Sequence, residues 1–174
     1  MSKAVIAALL ERFPDAVYQP YVGVGGDACA FVQKDRIADV CRFLRDDPAM
    51  DFKMAPYVTA VDYLGANPRF EVVYNLVSTS KNHRVRLRVK VPEAELSVPS
   101  ITPIWRGADW FERYCLDMYG IQFPGHPDPR RLLMYDEFVG HPLRKDYPLK
   151  GRQPIIPERE IDDLFRGPGP AGRS

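Results

Sequence analysis

The chain has 174 residues, 45% of them hydrophobic, with 24 Lys and Arg against 23 Asp and Glu. That length suits one domain able to bury its own core, and the apolar share excludes wholesale disorder. The near-balanced charge excludes a global pull toward nucleic acid or anionic lipid, so any basic patch must be local.

In chain order, Val5, Ile6, Leu9, Leu10 and Phe13 recur at helical spacing, and Pro14 stops that helix. The run is too short for a signal peptide and lacks a small-residue cleavage site. No later stretch nears the roughly 20 apolar residues of a membrane span. The chain is therefore expected to be soluble, to sit in a reducing compartment and to meet a membrane only through a partner. From Ala16 to Gln33, β-rich runs broken by Pro20 and by Gly23, Gly25 and Gly26 predict two short strands joined by a turn at GVGGD. Those glycines do not make a phosphate loop, because no helix and no Lys-Ser/Thr pair follows. A second helix is expected over DRIADVCRFLRDD, capped by Asp35, with Ile37, Val40, Cys41 and Leu44 inward and Pro48 at its end. Cys41 reads as a small core residue. With Cys29 and Cys115 it forms a scattered set without CxxC spacing, which argues against disulfides and zinc. A strand follows from Tyr57 to Leu64.

Two runs then alternate with period two. Phe70, Val72, Tyr74 and Leu76 share one face, and Val85, Leu87, Val89 and Val91 alternate with Arg84, Arg86, Arg88 and Lys90. STSKN between them supplies turn chemistry for an antiparallel hairpin. The four cations raise nucleic acid as a partner. Without stacking aromatics on that face, the reading is a solvated or partner-facing sheet surface with Glu71 opposite. A third helix lies between Ile101 and Tyr119, capped by Ser100, divided at Gly107 and ended by Gly120. Trp110 and Met118 are expected to share its inner face with Cys115 or Tyr114, and Arg113 to pair with Asp117 four residues on. The fold class is α+β, an antiparallel or mixed sheet with helices packed on one face.

Nine of the 17 prolines fall between Pro124 and Pro170, a density that regular elements do not survive. Yet Phe123, Leu132, Leu133, Met134, Phe138, Leu143, Tyr147 and Leu149 punctuate them, which a floppy linker would not require. The division is a core domain over 1–123 and an extended, partner-docking arm over 124–174, anchored on its own domain or on another protein. RGPGPAGRS at the end lacks anchors and is expected to be mobile. GHP occurs twice, at Gly125 and Gly140, each time followed by basic residues. His126 and His141 have no nucleophile singled out beside them. Asp128 and Asp146 with those histidines lack ligand spacing, and Arg130, Arg131, Arg144 and Lys145 would repel a cation. Paired charges that fix the register of a contact fit better than catalysis or metal binding.

The run ADWFERYCLDMYGIQFPGHPDPRRLL, continued by GHPLRKDYPL, resembles the 30 kDa (C) subunit of proton-pumping NADH:quinone oxidoreductase, respiratory complex I. The family pattern ERExxDxxGIxFxGHPxLRRxL is met at Glu112, Arg113, Asp117, Gly120, Ile121, Phe123, Gly125, His126, Pro127, Arg130, Arg131 and Leu133. GxPLRKDYPL is met throughout Pro142 to Leu149. VDYLG, RFEVVYNLVS and VPSIT extend the likeness back to Val61. Tyr114 replaces the second Glu of ERE, which removes a carboxylate and with it one expected ion pair, and Pro129 replaces Leu.

The resemblance implies a structural subunit of the peripheral arm with no cofactor of its own, FMN and iron–sulfur clusters belonging to partner subunits. It implies docking on the quinone-site (D) subunit, with the cluster-bearing (B) subunit nearby and no nucleic acid. Placement would be peripheral, on the cytoplasmic side of a bacterial inner membrane or the matrix side of a mitochondrial one. A homologous subunit of a membrane-bound hydrogenase or other quinone-linked dehydrogenase is the alternative. The partner-binding residues expected on this basis are Glu112, Arg113, Asp117, His126, Asp128, Arg130, Arg131, His141, Arg144, Lys145, Asp146 and Tyr147. Arg144 and Asp146 are expected to matter more for assembly than for folding.

Overall fold

A five-stranded mixed sheet carries three helices on one face in the computed structural model, which describes residues 2–151 and 153. The elements run α1 (Ser2–Arg12), β1 (Val17–Val22), β2 (Ala28–Val32), α2 (Ile37–Asp46), β3 (Met54–Asp62), β4 (Phe70–Ser78), β5 (His83–Val91) and α3 (Asp109–Tyr119). The sheet order is β1-β2-β5-β4-β3, with β2 and β5 parallel and the other neighbours antiparallel. RGPGPAGRS lies outside the described residues.

The period-two pattern decides which face is inside. Val72 sits opposite Val89, Tyr74 opposite Leu87 and Leu76 opposite Val85, all buried. Val5 and Leu9 of α1, Val40 and Leu44 of α2 and Cys115 of α3 meet these strands in one core. Leu87 is fully buried there, so Leu87→Ala should cost about 3 kcal/mol, read as a lower melting temperature of the chain. An unchanged melt would show the face to be wrongly assigned.

Several local expectations change. Leu10 is exposed, so the α1 stripe is narrower than its spacing suggested. Asp35 does not cap α2. It lies inside a single 3-10 turn, Lys34–Arg36, and α2 begins from Arg36 without a side-chain cap. β3 starts at Met54 and runs through Pro56. It is an edge strand, where a missing N–H costs no ladder bond. Ser100 does not cap the third helix, because Ile101 to Ile104 forms a turn and α3 begins only at Asp109. Trp110 points outward and is exposed. The buried side of α3 is instead Glu112, Cys115, Asp117 and Met118. Two carboxylates on an inner helix face are what an amphipathic reading discards, and they hold the segments before and after α3.

Candidate partner-docking arm

Past α3 the described residues form no further helix or strand, yet the chain is held by α3 and by the end of the sheet. α3 closes with Gly120 in the left-handed region at φ 80°. A Cβ there would lie 2.5 Å from His141 Nε2 and 2.7 Å from Arg144 Nη2, so conformation and space both require glycine. The last three carbonyls of α3 are met from the returning arm. His141 Nδ1 donates to Asp117 O at 2.9 Å, the Leu143 N–H to Met118 O at 3.1 Å and Arg144 Nε to Tyr119 O at 2.6 Å. These carbonyls have no partners within a helix, so GHPLR acts as an external cap. The first GHP reaches the other end of the same helix. His126 Nδ1 accepts the Asp128 N–H at 3.0 Å, which leaves the proton on Nε2 to donate to Asp109 O at 3.2 Å. The repeated motif therefore brackets α3. Burial, with Arg144 and Arg131 nearby, holds the His141 imidazole below its usual pKa against the Asp117 carbonyl.

Asp117 is fully buried and gathers the arm. Its Oδ1 accepts from Arg131 Nη1 at 2.9 Å, and its Oδ2 accepts the N–H groups of Leu132, Leu133 and Met134 at 3.2, 2.7 and 2.9 Å. Burial alone would raise the pKa of this carboxyl. The three N–H groups and the guanidinium outweigh it and hold the pKa below the carboxylate range. Asp117 is thus unavailable to Arg113, and the expected i, i+4 pair does not form. Arg113 donates instead to Arg130 O at 3.1 Å and Arg131 O at 3.0 Å, with Asp128 at 3.7 Å.

A second node registers the later part of the arm. Arg69, 6% exposed, pairs with both Asp62 oxygens at 2.9 Å, with Glu93 at 2.7 Å and with Asp146 at 2.9 Å. Asp62 also accepts the Lys145 N–H at 2.8 Å. The hydrogen-bonded Arg69 guanidinium lowers the Asp62 pKa against the effect of burial, and that of Asp146 likewise. Arg144 lies over the Phe70 ring at 5.3 Å. Arg144 and Asp146 are therefore engaged within the chain, where their contacts seat the arm. Tyr147 stacks on Phe138 at 6.0 Å, and Phe138 meets Tyr135 edge-on at 5.5 Å.

Glu112 is the buried polar group under the first bend. It accepts from Ser100 Oγ at 2.5 Å, the Ile101 N–H at 2.7 Å and Thr102 Oγ1 at 3.0 Å, with His126 Nε2 at 4.0 Å. Here burial prevails and its pKa is raised. The ionised form is disfavoured by the fold, so this group's contribution to stability improves as pH falls through the folded pKa toward the unfolded value near ~4.3. Glu112→Gln keeps an acceptor for Ile101 and can donate to both hydroxyls. It should match the wild-type melt at low pH, where Glu112 is protonated, melt no lower than wild type at neutral pH, and abolish that pH dependence. Glu112→Ala strands all three donors and should cost about 3 kcal/mol. Equal melts for the two variants would contradict this assignment.

The predicted residues thus separate into two sets. Asp117, His126, Arg131, His141, Arg144 and Asp146 bind the arm to the domain, Glu112 holds residues 100–102 of the core, Arg113 grips the arm's backbone, and Tyr147 packs inside it. Arg130, tied to Asp128 at 2.6 and 2.8 Å, and Lys145 are turned outward. Around them Leu133, Val139, Leu143 and Leu149 are exposed, as is Trp110 of α3. Sequence reasoning missed Arg69, Asp62 and Glu93. Their bonds to one another and to Asp146 span 7, 24 and 77 residues, so no local spacing reveals them. The one available signal was Arg69 standing just outside a strict alternation.

Burial, with Glu112 nearby, pushes the Cys41 and Cys115 thiols far above their usual range. Among the described residues no three His, Cys, Asp or Glu side chains group to hold a metal ion, and no helix is long and apolar enough to cross a membrane.

Residues 30–153 match the family described as respiratory-chain NADH dehydrogenase, 30 Kd subunit. The chain is 48% identical over 146 residues to the C subunit of NADH-quinone oxidoreductase from Roseiflexus sp. (strain RS-1), covering 82% of this chain and 84% of that one. It is 46% identical over 136 residues to the protein of the same name from Geobacter sulfurreducens, covering 78% and 80%. Among solved structures it resembles the trypsin-resistant fragment (1–134) of Nqo5, with TM-score 0.62 and 28% identity over 74% of this chain and 99% of that one. A chain of the membrane-bound sulfane sulfur reductase, an archaeal respiratory membrane complex, shares the fold, with TM-score 0.71 and 22% identity over 85% and 86%.

Proposed function

The chain belongs to the 30 kDa subunit family of respiratory-chain NADH dehydrogenase, and from that premise we propose that it is a non-catalytic structural subunit in the peripheral arm of an NADH-quinone oxidoreductase. It docks through its own arm on the quinone-site subunit, close to a cluster-bearing neighbour. FMN and the iron–sulfur clusters reside in partner subunits, and this chain meets the membrane only through them, from the cytoplasmic or matrix side.

One observation carries this reading. The arm is fixed from beneath by Asp117 and Arg69, while Leu133, Val139, Leu143 and Leu149 point away from the domain. A proline-rich segment held in place by two buried ionic nodes loses little entropy on binding, which suits an obligate assembly contact. Exposed aliphatic side chains spaced along such a segment are anchor chemistry for a partner surface.

The test is to purify the native assembly by a tag on this chain and identify what accompanies it. Flavin- and cluster-bearing subunits with NADH oxidation support the proposal. A nickel–iron hydrogenase subunit instead would place the chain in a related membrane-bound complex, and recovery of the chain alone would refute both.

A further inference from the structure

The three helices pack on one face of the sheet, and the second face carries none of them. β5 lays Arg84, Arg86, Arg88 and Lys90 along that face in strict alternation with the core. The chain's net charge is only +1, yet this face concentrates cations. Its one matched pair is Arg88 with Glu71. Among the described residues Arg84, Arg86 and Lys90 have no carboxylate partner, Arg86 bonding only to the neutral Asn75 at 3.1 Å. The aromatics that the β5 sequence did not supply come from neighbouring strands. Phe31, opposite Arg88 in the register, is stacked on Tyr18 at 5.6 Å. Arg88 lies over the Phe31 ring at 4.7 Å and Lys90 over it at 4.9 Å. Arg88 also donates to Tyr21 and Tyr63. Arg86, Arg88 and Lys90 are therefore held in place, which lowers the entropy lost when an anion meets them.

We propose that this sheet face is a second docking surface, occupied by an acidic segment of a neighbouring polypeptide. The proposal rests on the chain's place in a multisubunit assembly, but not on which complex that is. Charge complementarity selects the occupant, because three unmatched cations over half-buried Val73 and Val77 call for carboxylates on a flat surface. Nucleic acid fits less well. Phe31 is 8% exposed and its ring is taken by Arg88 and Lys90, so the central aromatic is closed to a base, and Glu71 beside it would repel a phosphate backbone. A lipid surface is also disfavoured, since Glu71 sits among the cations and Arg88 is tied down into the face.

The experiment is zero-length carbodiimide cross-linking of the purified native assembly, which joins an amine only to a carboxylate in direct contact. The expected result is Lys90 joined to an Asp or Glu of a different polypeptide, insensitive to nuclease. The double variant R84E/R86E, which leaves Lys90 over Phe31 and opposite Glu71, should lower recovery of that polypeptide about a hundredfold, with thermal unfolding of the isolated chain as the control for folding. The idea is overturned if Lys90 stays as reactive to an amine reagent in the assembly as in the isolated chain. It is overturned equally if Lys90 joins only this chain's own Glu158, Glu160, Asp162 or Asp163, or if its protection disappears with nuclease or with lipid removal. A preparation in which flavin and cluster subunits co-purify but Lys90 remains free would sink this inference and leave the proposed function standing. Recovery of the chain alone would sink both.

Discussion

Arg69→Ala is expected to lower the stability of the isolated chain by about 4 kcal/mol at neutral pH, because it strands the Asp62 carboxylate in the interior. Asp62 is 2% exposed and has one other donor, the Lys145 N–H. The same change frees Glu93 and Asp146, so the arm loses its second anchor along with the sheet end. The pH dependence gives a sharper signature than the magnitude. In the wild type Arg69 depresses the pKa of Asp62. That contribution is fully present above the unfolded value near ~3.9 and is lost as pH falls through the folded one. In the variant the buried carboxyl gains by protonation instead. The stability gap between the two proteins should therefore be widest near neutrality and narrow below about pH 4. Thermal or urea unfolding across pH measures it. A gap that is constant with pH would mean that Arg69 acts through packing on Phe70, where it lies 4.8 Å from the ring centre, and not through Asp62.

Asp117→Ala removes the acceptor for three successive N–H groups and for Arg131, a loss of about 4 kcal/mol concentrated at the root of the arm. The N–H of Leu132 belongs to the peptide bond that trypsin would cut after Arg131. Where local opening is fast relative to cleavage, its rate follows the opening equilibrium, so cutting there should accelerate by up to about a thousandfold. The sheet core should outlast the arm, since Leu76, Leu87 and their neighbours do not touch Asp117. A variant cleaved no faster than wild type would show that the arm is seated by other contacts.

The sheet was legible because period-two alternation assigns faces directly. Phe70 through Leu76 and Val85 through Val91 lie where that pattern puts them. The ends of the helices were less legible. Asp35 looks like a cap by residue type, but a 3-10 turn precedes α2 and moves the helix start past it. α3 resisted in a different way. Hydrophobicity sends Trp110 inward and Glu112 and Asp117 outward, whereas the structure does the reverse because the two carboxylates have buried donors waiting from residues 100–102 and 131–134. The arm's existence followed from proline density. What holds it did not, because Arg69 and Asp146 are remote in sequence, and a residue in a docked segment has the same composition whether it faces its own domain or a partner. The aromatic floor beneath β5 was invisible for the same reason, since Phe31 and Tyr18 come from other strands.

The central claim is that one side of the arm belongs to this chain's fold and the other to a partner. It is tested most directly by the pair of substitutions L133D and V139D, made together at two exposed arm positions. Thermal unfolding of the isolated chain is compared with recovery of the native assembly. The account predicts an unchanged melt and a loss of partner affinity of about a hundredfold or more, since two charged side chains would be buried unpaired in the contact. A destabilised isolated chain, or an assembly recovered at wild-type yield, would contradict it.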